Sequence, residues 1–177
     1  MTAKKFASGG SLSNIRILDL TRVWAGPLAT RIFGDFGAEV IKISDPRVTL
    51  LSGNGLNNKL NRNKKNIGLR LDIESGRKVF LELVSTSDVV IENFRPRVMR
   101  NLGLSFDQLT RSNPNIVMVS MPGFGTEGPY SEFPAFGTTA EALAGIPSLI
   151  GYENGSPMST GIAYGDPISG LNAVSVI

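Results

Sequence analysis

The chain has 177 residues, a net charge of +3 at pH 7, 41% hydrophobic and 19% charged residues, which is enough for one sizeable core or most of a domain of a larger protein, and carries no sign of disorder. Cysteine and histidine are both absent, which excludes disulfides, thiolate nucleophiles, Ser-His-Asp and Cys-His arrangements and most zinc sites. No apolar run approaches membrane-spanning length, and the flexible polar lead of residues 1–11 lacks the apolar centre of a signal peptide, so a cytoplasmic protein without a membrane partner is expected.

Residues 15–20, I-R-I-L-D-L, predict a buried strand. A tight loop follows, and residues 28–36 carry Leu28, Ile32, Phe33 and Phe36 at helical spacing, with Pro27 suited to a first turn and Gly37 to a C-cap. Residues 39–43 predict a second strand, which completes a βαβ unit with parallel pairing. The Gly-, Asn- and Lys-rich stretch 44–65 has no period and reads as an extended loop on the ligand side.

Beyond it, the pattern predicts a strand over 67–71 and a helix over 75–85 with Val79, Phe80, Leu83 and Val84 inward. A strand over 88–92, two short helices over 96–102 and 105–111, and a strand over 115–120 come next. Residues 121–134 form a Gly- and Pro-rich loop, 138–144 a helix, 145–151 a turn with a short extended piece, and 171–177 the opening of a helix that starts after Gly170. The last run stops without a capping residue, so the chain is expected to be truncated at its C-terminus.

This alternation predicts an α/β domain with a mostly parallel sheet, with ligands outside the C-terminal ends of the strands near a switch in strand order. Four stretches at those ends, 22–24, 44–45, 93–95 and 121–124, are expected to converge on one crevice. Residues 46–71 contain Arg47, Lys59, Arg62, Lys64, Lys65 and Arg70 and no acidic residue, which suits either a landing area for phosphate or a solvated loop. Nucleic acid is not expected, because the run is short and lacks interleaved aromatics. Neither a G-x-G-x-x-G nor a G-x-x-x-x-G-K-[ST] motif is present.

Six stretches in order carry a family resemblance: I-L-D-L-T-R-V-W-A-G-P (17–27), G-D-F-G-A-E-V-I-K-I (34–43), N-R-N-K-K (61–65), V-V-I-E-N-F-R-P (89–96), G-F-G-T-E-G-P (123–129) and G-D-P-I-S-G (165–170). Together they resemble the family III CoA-transferases, also called the CaiB/BaiF family. The resemblance implies an open, mostly parallel, Rossmann-like sheet with helices on both faces. Residues 12–177 would be the N-terminal part of the large CoA-binding domain of a protein about twice as long, and two such chains interlock into a homodimer. It also implies exposed apolar surface on the piece alone.

The family's nucleophilic aspartate falls on Asp166. A carboxylate is ionised at pH 7 by its ordinary pKa and attacks a thioester without a general base. The implied reaction moves CoA from an acyl-CoA to a free carboxylic acid through an aspartyl anhydride and an aspartyl-CoA thioester, with CoA as substrate and no permanently bound cofactor or metal. Read by itself, Asp166 before Pro167 equally suits a helix cap or a turn. Gly165, Gly123 and Gly125 are natural oxyanion donors, since glycine permits close approach.

CoA contacts carried over from the family fall on Val23 and Trp24, on Leu69, Arg70 and Asp72 at the adenine end, on Asn93, Phe94 and Arg95, and on Gly123, Phe124 and Gly125 beside the thioester. Lys64 and Lys65 match a basic pair that either reaches phosphate or packs on the loop. The chain departs from the family pattern in R95-P-R-V-M-R-N-L-G103, where Arg97 stands for a glycine and Asn101 for a base, with Arg100 one residue early. A frequent G-Y-D appears as A135-F-G137. Two alternatives are an α-methylacyl-CoA racemase-like enzyme, which pairs the aspartate with a histidine near position 136 to move an α-proton, and a non-catalytic CoA-binding subunit.

Overall fold

The computed structural model describes residues 9–48 and 55–177. Most of the expected polar lead, and the central part of the 44–65 stretch, lie outside the described residues. Among them the elements run β1 (Arg16–Asp19), α1 (Ala25–Asp35), β2 (Glu39–Ser44), α2 (Gly55–Asn61), β3 (Lys64–Gly68), α3 (Glu74–Val84), β4 (Val89–Glu92), α4 (Arg97–Asn101), α5 (Phe106–Ser112), β5 (Val117–Ser120), α6 (Gly137–Leu143), a 3-10 helix at Ile146–Leu149 and α7 (Gly165–Val176).

The five strands form one sheet in the order β3-β2-β1-β4-β5, and every pairing is parallel. Strand side chains alternate in direction, so each central strand feeds two cores. Ile17, Val40, Val89 and Ile91 pack with Ala29 and Phe33 of α1 and half-buried Ala173 and Val174 of α7. Leu18, Leu20, Ile43 and Val90 pack with Phe80 and Val84 of α3, Met99 of α4 and Leu109 of α5. Helices therefore cover both faces, as the apolar runs of an all-parallel sheet require. The strand order reverses between β1 and β4, which places the switch point beside the loops that follow those two strands.

Four sequence expectations are corrected here. The 44–65 stretch is not all loop: α2 and the start of β3 lie inside it. The third strand is Lys64–Gly68 rather than 67–71, because β3 is an edge strand whose register is fixed by backbone pairing of Lys64 to Val40 through Gly68 to Ser44, and an edge needs no apolar alternation. Val79 is exposed, whereas Gly76, Phe80 and Val84 form the buried stripe of α3. The last helix begins at Gly165 and not after Gly170; Pro167 sits in its first turn, where the N–H that proline lacks would have had no helix partner.

α7 reaches its place by packing on α1. The contact passes through Gly170, which is buried; a Cβ there would come within 2.6 Å of the Ala25 carbonyl oxygen and 3.3 Å of Leu28 Cδ2. The absent side chain lets α7 lie against the start of α1. After residue 130 large apolar side chains remain exposed, Tyr152, Leu149 and Val176 among the most open. No helix among the described residues is long and apolar enough to cross a membrane.

Candidate active site

Two clefts open near the C-terminal ends of the strands, and the four strand-end stretches divide between them instead of meeting in one crevice. The larger, about 810 Å³, runs along β5 and is lined by Asn93, Met121, Pro122 and Gly123 on one side and by Phe136, Gly137, Gly165 and Asp166 on the other. The second, about 560 Å³, is lined by Arg22, Val23, Ser44, Asp45, Lys42 and Lys64 with residues of α2. Both volumes suit a small-molecule site.

Asp166 stands in the first turn of α7, where the N-terminal end of the helix dipole favours a negative group. It is half-buried. Its Oδ2 accepts the backbone N–H of Gly137, the first residue of α6, at 3.0 Å. Among the described residues Oδ1 has no such tie. Among the described residues lining this cleft, Asp166 is the one ionisable side chain. Phe136 lines the wall beside it and is 57% exposed, and a phenyl ring neither gives nor takes a proton.

The expected oxyanion donors fare differently. Gly123 and Gly165 line the cleft, whereas the N–H of Gly125 is committed to the Pro122 carbonyl at 3.2 Å. The backbone donor that meets the carboxylate, Gly137, was not among those the sequence suggested. Glu141 and Thr160, which hold the chain around Asp166, were missed too. The signal for Glu141 was a lone acid within the otherwise uncharged T-T-A-E-A-L-A of α6, with no basic residue nearby to suggest a surface pair.

The loop after β1 is fastened to the loop after β4 by one side chain. Asn93 Oδ1 accepts the Arg22 N–H at 2.8 Å, and Asn93 Nδ2 donates to the Arg22 carbonyl at 2.9 Å. The Arg22 guanidinium lies 5.4 Å from the centre of the Phe94 ring. Beyond this clamp Val23 takes φ +67°, a left-handed conformation costly for a β-branched residue, and its side chain is exposed. Trp24 is half-buried at the N-cap of α1.

Beneath that loop lies a buried charge cluster. Asp19 is wholly buried at the end of β1, with Lys42 Nζ at 3.2 Å and Lys64 Nζ at 3.0 Å from its oxygens. Thr21 and Thr30 donate their hydroxyls to it at 2.5 and 2.7 Å. Burial pushes the Asp19 carboxyl up, but the two ammonium groups and two hydroxyls outweigh it and hold the group below its usual range. Burial lowers Lys64 to about 8, against the pull of Asp19. Lys64 also donates to the Pro27 carbonyl at 3.0 Å.

The basic run of 46–71 is largely neutralised in the folded chain. Arg47 pairs with Asp45 and Asp72, Arg62 with Asp35, Lys64 with Asp19, Lys65 with Glu39 and Arg70 with Asp72. Its acidic partners all come from outside the run, so local charge counting overstated the patch. Leu69 packs half-buried against the core on the α3 side, while Arg70 and Asp72 hold each other at 2.8 Å beside Arg47. Arg95 and Arg100 are exposed. Arg97, where the family pattern has glycine, reaches Glu132 of the Gly-rich loop at 3.1 Å, and in that loop Phe124, Tyr130 and Phe133 form an aromatic cluster with centroids 5.4 to 6.5 Å apart.

Glu92, buried at the end of β4, accepts the Phe94 N–H at 2.7 Å, and burial pushes its carboxyl above the usual range.

The chain is similar to known proteins over most of its length. A family model described as CoA-transferase family III matches residues 12–177. The chain is 37% identical over 176 residues to the formyl-CoA:oxalate CoA-transferase of Streptomyces avermitilis, covering 94% of the chain and 43% of that protein. It is 35% identical to the human succinyl-CoA:glutarate CoA-transferase, covering 94% of the chain and 40% of that protein. Among solved structures it superposes on a CaiB/BaiF family protein from Brucella suis with a TM-score of 0.88 at 30% identity, over 96% of the chain and 48% of that protein. With Rv3272 from Mycobacterium tuberculosis the TM-score is 0.87 at 32% identity, over 94% and 48%. The chain thus spans less than half the length of these relatives.

Proposed function

This chain belongs to CoA-transferase family III, and on that footing we propose that the full-length protein moves CoA from an acyl-CoA to a free carboxylic acid, with Asp166 as the acyl carrier. The observation that carries the reading is that the large cleft presents one ionisable group among its described lining residues, a carboxylate fixed through one oxygen and open at the other.

In the proposed reaction, Asp166 Oδ1 attacks the thioester carbonyl carbon, the C–S bond breaks, and CoA leaves as thiolate from an aspartyl-acyl anhydride. The thiolate attacks Cγ of Asp166, forming an aspartyl-CoA thioester and expelling the acyl group as carboxylate. An incoming carboxylate attacks the same Cγ to give a new anhydride and thiolate. The thiolate then takes the new acyl group and Asp166 is restored. No water is consumed and no proton changes hands, which suits a chain without histidine. During each attack on Cγ, negative charge gathers on Oδ2, where the Gly137 N–H already points; a preorganised donor at a developing oxyanion is a large catalytic factor.

For CoA itself we assign Val23 and Trp24 in the clamped loop, Asn93, Phe94 and Arg95 at the switch point, Gly123, Phe124 and Gly125 beside the thioester, and Leu69, Arg70, Asp72 and Arg100 toward the adenine. Lys64 enters this assignment by shaping the loop through Asp19 and Pro27. A racemase pairs two acid-base groups across an α-carbon, and Phe136 supplies none. An interlocked homodimer and action in the cytoplasm belong to the same proposal.

The test is CoA exchange by the full-length protein between formyl-, acetyl- or succinyl-CoA and oxalate, glutarate or malate. Exchange that needs both an acyl-CoA and an acid, and disappears in Asp166→Ala, is expected. Exchange at the wild-type rate in Asp166→Ala, or α-proton wash-out without exchange, would overturn the reading.

A further inference from the structure

We propose that Glu141 is the positioning residue for Asp166, acting as an external cap on the helix that carries it. The inference rests on the transfer reading above and concerns how the nucleophile is held. α7 begins with Tyr164 at its N-cap, a residue whose side chain makes no capping bond, although the first N–H groups of a helix lack intrahelical partners. The acceptor comes from another helix. Glu141 of α6 is 2% exposed; its Oε1 accepts the Tyr164 N–H, and both carboxylate oxygens lie 2.9 Å from Thr160 Oγ1. No ion pair with lysine or arginine holds Glu141 among the described residues. Its partners are two points of one segment, four and then zero residues from the start of the cap.

Between those points the backbone is strained. Ala163 takes φ +48°, a conformation that persists only where neighbouring contacts over-determine it. The Ala163 carbonyl then receives the Asp166 N–H at 3.0 Å. Glu141 thus fixes both sides of the strained residue, and Ala163 hands the constraint to the turn that bears the nucleophile. From the same helix α6, Gly137 holds Asp166 Oδ2. One helix thus holds the side chain of Asp166 and, through the Tyr164 N–H, the N-cap of the helix that carries it. A negative charge near the N-terminus of α7 also complements its dipole.

The experiment compares wild type, Glu141→Ala, Glu141→Gln and Thr160→Val in the full-length protein. It measures the single-turnover rate of Asp166 acylation, using formyl-, acetyl- or succinyl-CoA as wild type accepts, alongside CoA affinity by titration. Glu141→Ala is expected to slow acylation about 100-fold, the order of loss from a misplacement of about 1 Å, with CoA affinity within about threefold. Glu141→Gln is expected to restore the rate to within about fivefold, because its carbonyl still accepts from Tyr164 and its amide meets Thr160. Thr160→Val removes one tie and decides the matter if Glu141→Ala does not fold; a loss of about tenfold is expected. Wild-type acylation rates in Glu141→Ala or in Thr160→Val, or CoA affinity falling in step with acylation, overturn the positioning role. Absence of acylation at Asp166 in wild type overturns the transfer reading, and this inference with it.

Discussion

The backbone N–H of Gly137 meets Oδ2 of Asp166 at 3.0 Å, joining the first turns of two helices across 29 residues of chain. A Cβ at position 137 would lie 2.5 Å from that oxygen and 2.5 Å from the Ala163 carbonyl oxygen. Neither is a flexible side-chain end free to retreat without moving the nucleophile. Gly137→Ala is therefore expected to reduce acyl transfer about 100-fold, the scale of a small displacement of reacting atoms, while CoA binding changes little. Steady-state transfer kinetics beside a CoA titration check this, and a transfer rate near wild type would show that the carboxylate does not depend on the contact.

Asn93 closes both hydrogen bonds of its side-chain amide on Arg22, and that closure holds Val23 in its left-handed conformation. Each bond contributes about 1 kcal/mol, so Asn93→Ala is expected to release the loop and weaken CoA binding by about tenfold. Calorimetric titration with CoA measures it. Unchanged affinity would place the CoA contacts elsewhere.

Removing Asp19 leaves Lys42 and Lys64 facing each other around a vacated carboxylate, with Lys64 at 1% side-chain exposure. Breaking a buried ion pair on one side costs about 3 to 5 kcal/mol. Asp19→Ala is expected to lose that much in urea denaturation, and adding Lys64→Met to recover part of it by removing the uncompensated charge. A double variant no more stable than the single one would contradict the account.

Burial raises the native pKa of Glu92 above its ordinary 4.5. Between those two values the folded protein holds more protons than the unfolded chain, so stability from this group falls as pH rises. Glu92→Gln keeps an acceptor for the Phe94 N–H and has no charge to desolvate. Its stability relative to wild type is expected to improve from about pH 4 to about pH 8, as read from urea midpoints. A pH-independent difference would mean that the carboxyl ionises as freely when folded as when unfolded.

The strands with apolar runs and the helices with a clear period were legible in the sequence, because burying β1, β2 and β4 leaves little freedom in composition. What escaped notice had its cause in tertiary contacts. β3 is defined by edge pairing to β2, which its K-K-N-I-G sequence does not advertise. α2 has one buried side chain, Leu60, and so no period to read. Five of the six basic residues after Pro46 pair with carboxylates, most of them remote in sequence, such as Asp19, Asp35 and Glu39. The motif singled out Asp166 as a candidate, whereas Gly137 and Glu141 make their contacts across 29 and 23 residues, which no local pattern encodes.

The most direct measurement is covalent capture at the nucleophile. The full-length protein is mixed with an accepted acyl-CoA, quenched with hydroxylamine, digested and weighed peptide by peptide. The account predicts a hydroxamate at Asp166 that forms only with acyl-CoA present and is lost in Asp166→Asn. Turnover with Asp166 unmodified, or capture at another carboxylate with undiminished exchange, would contradict it.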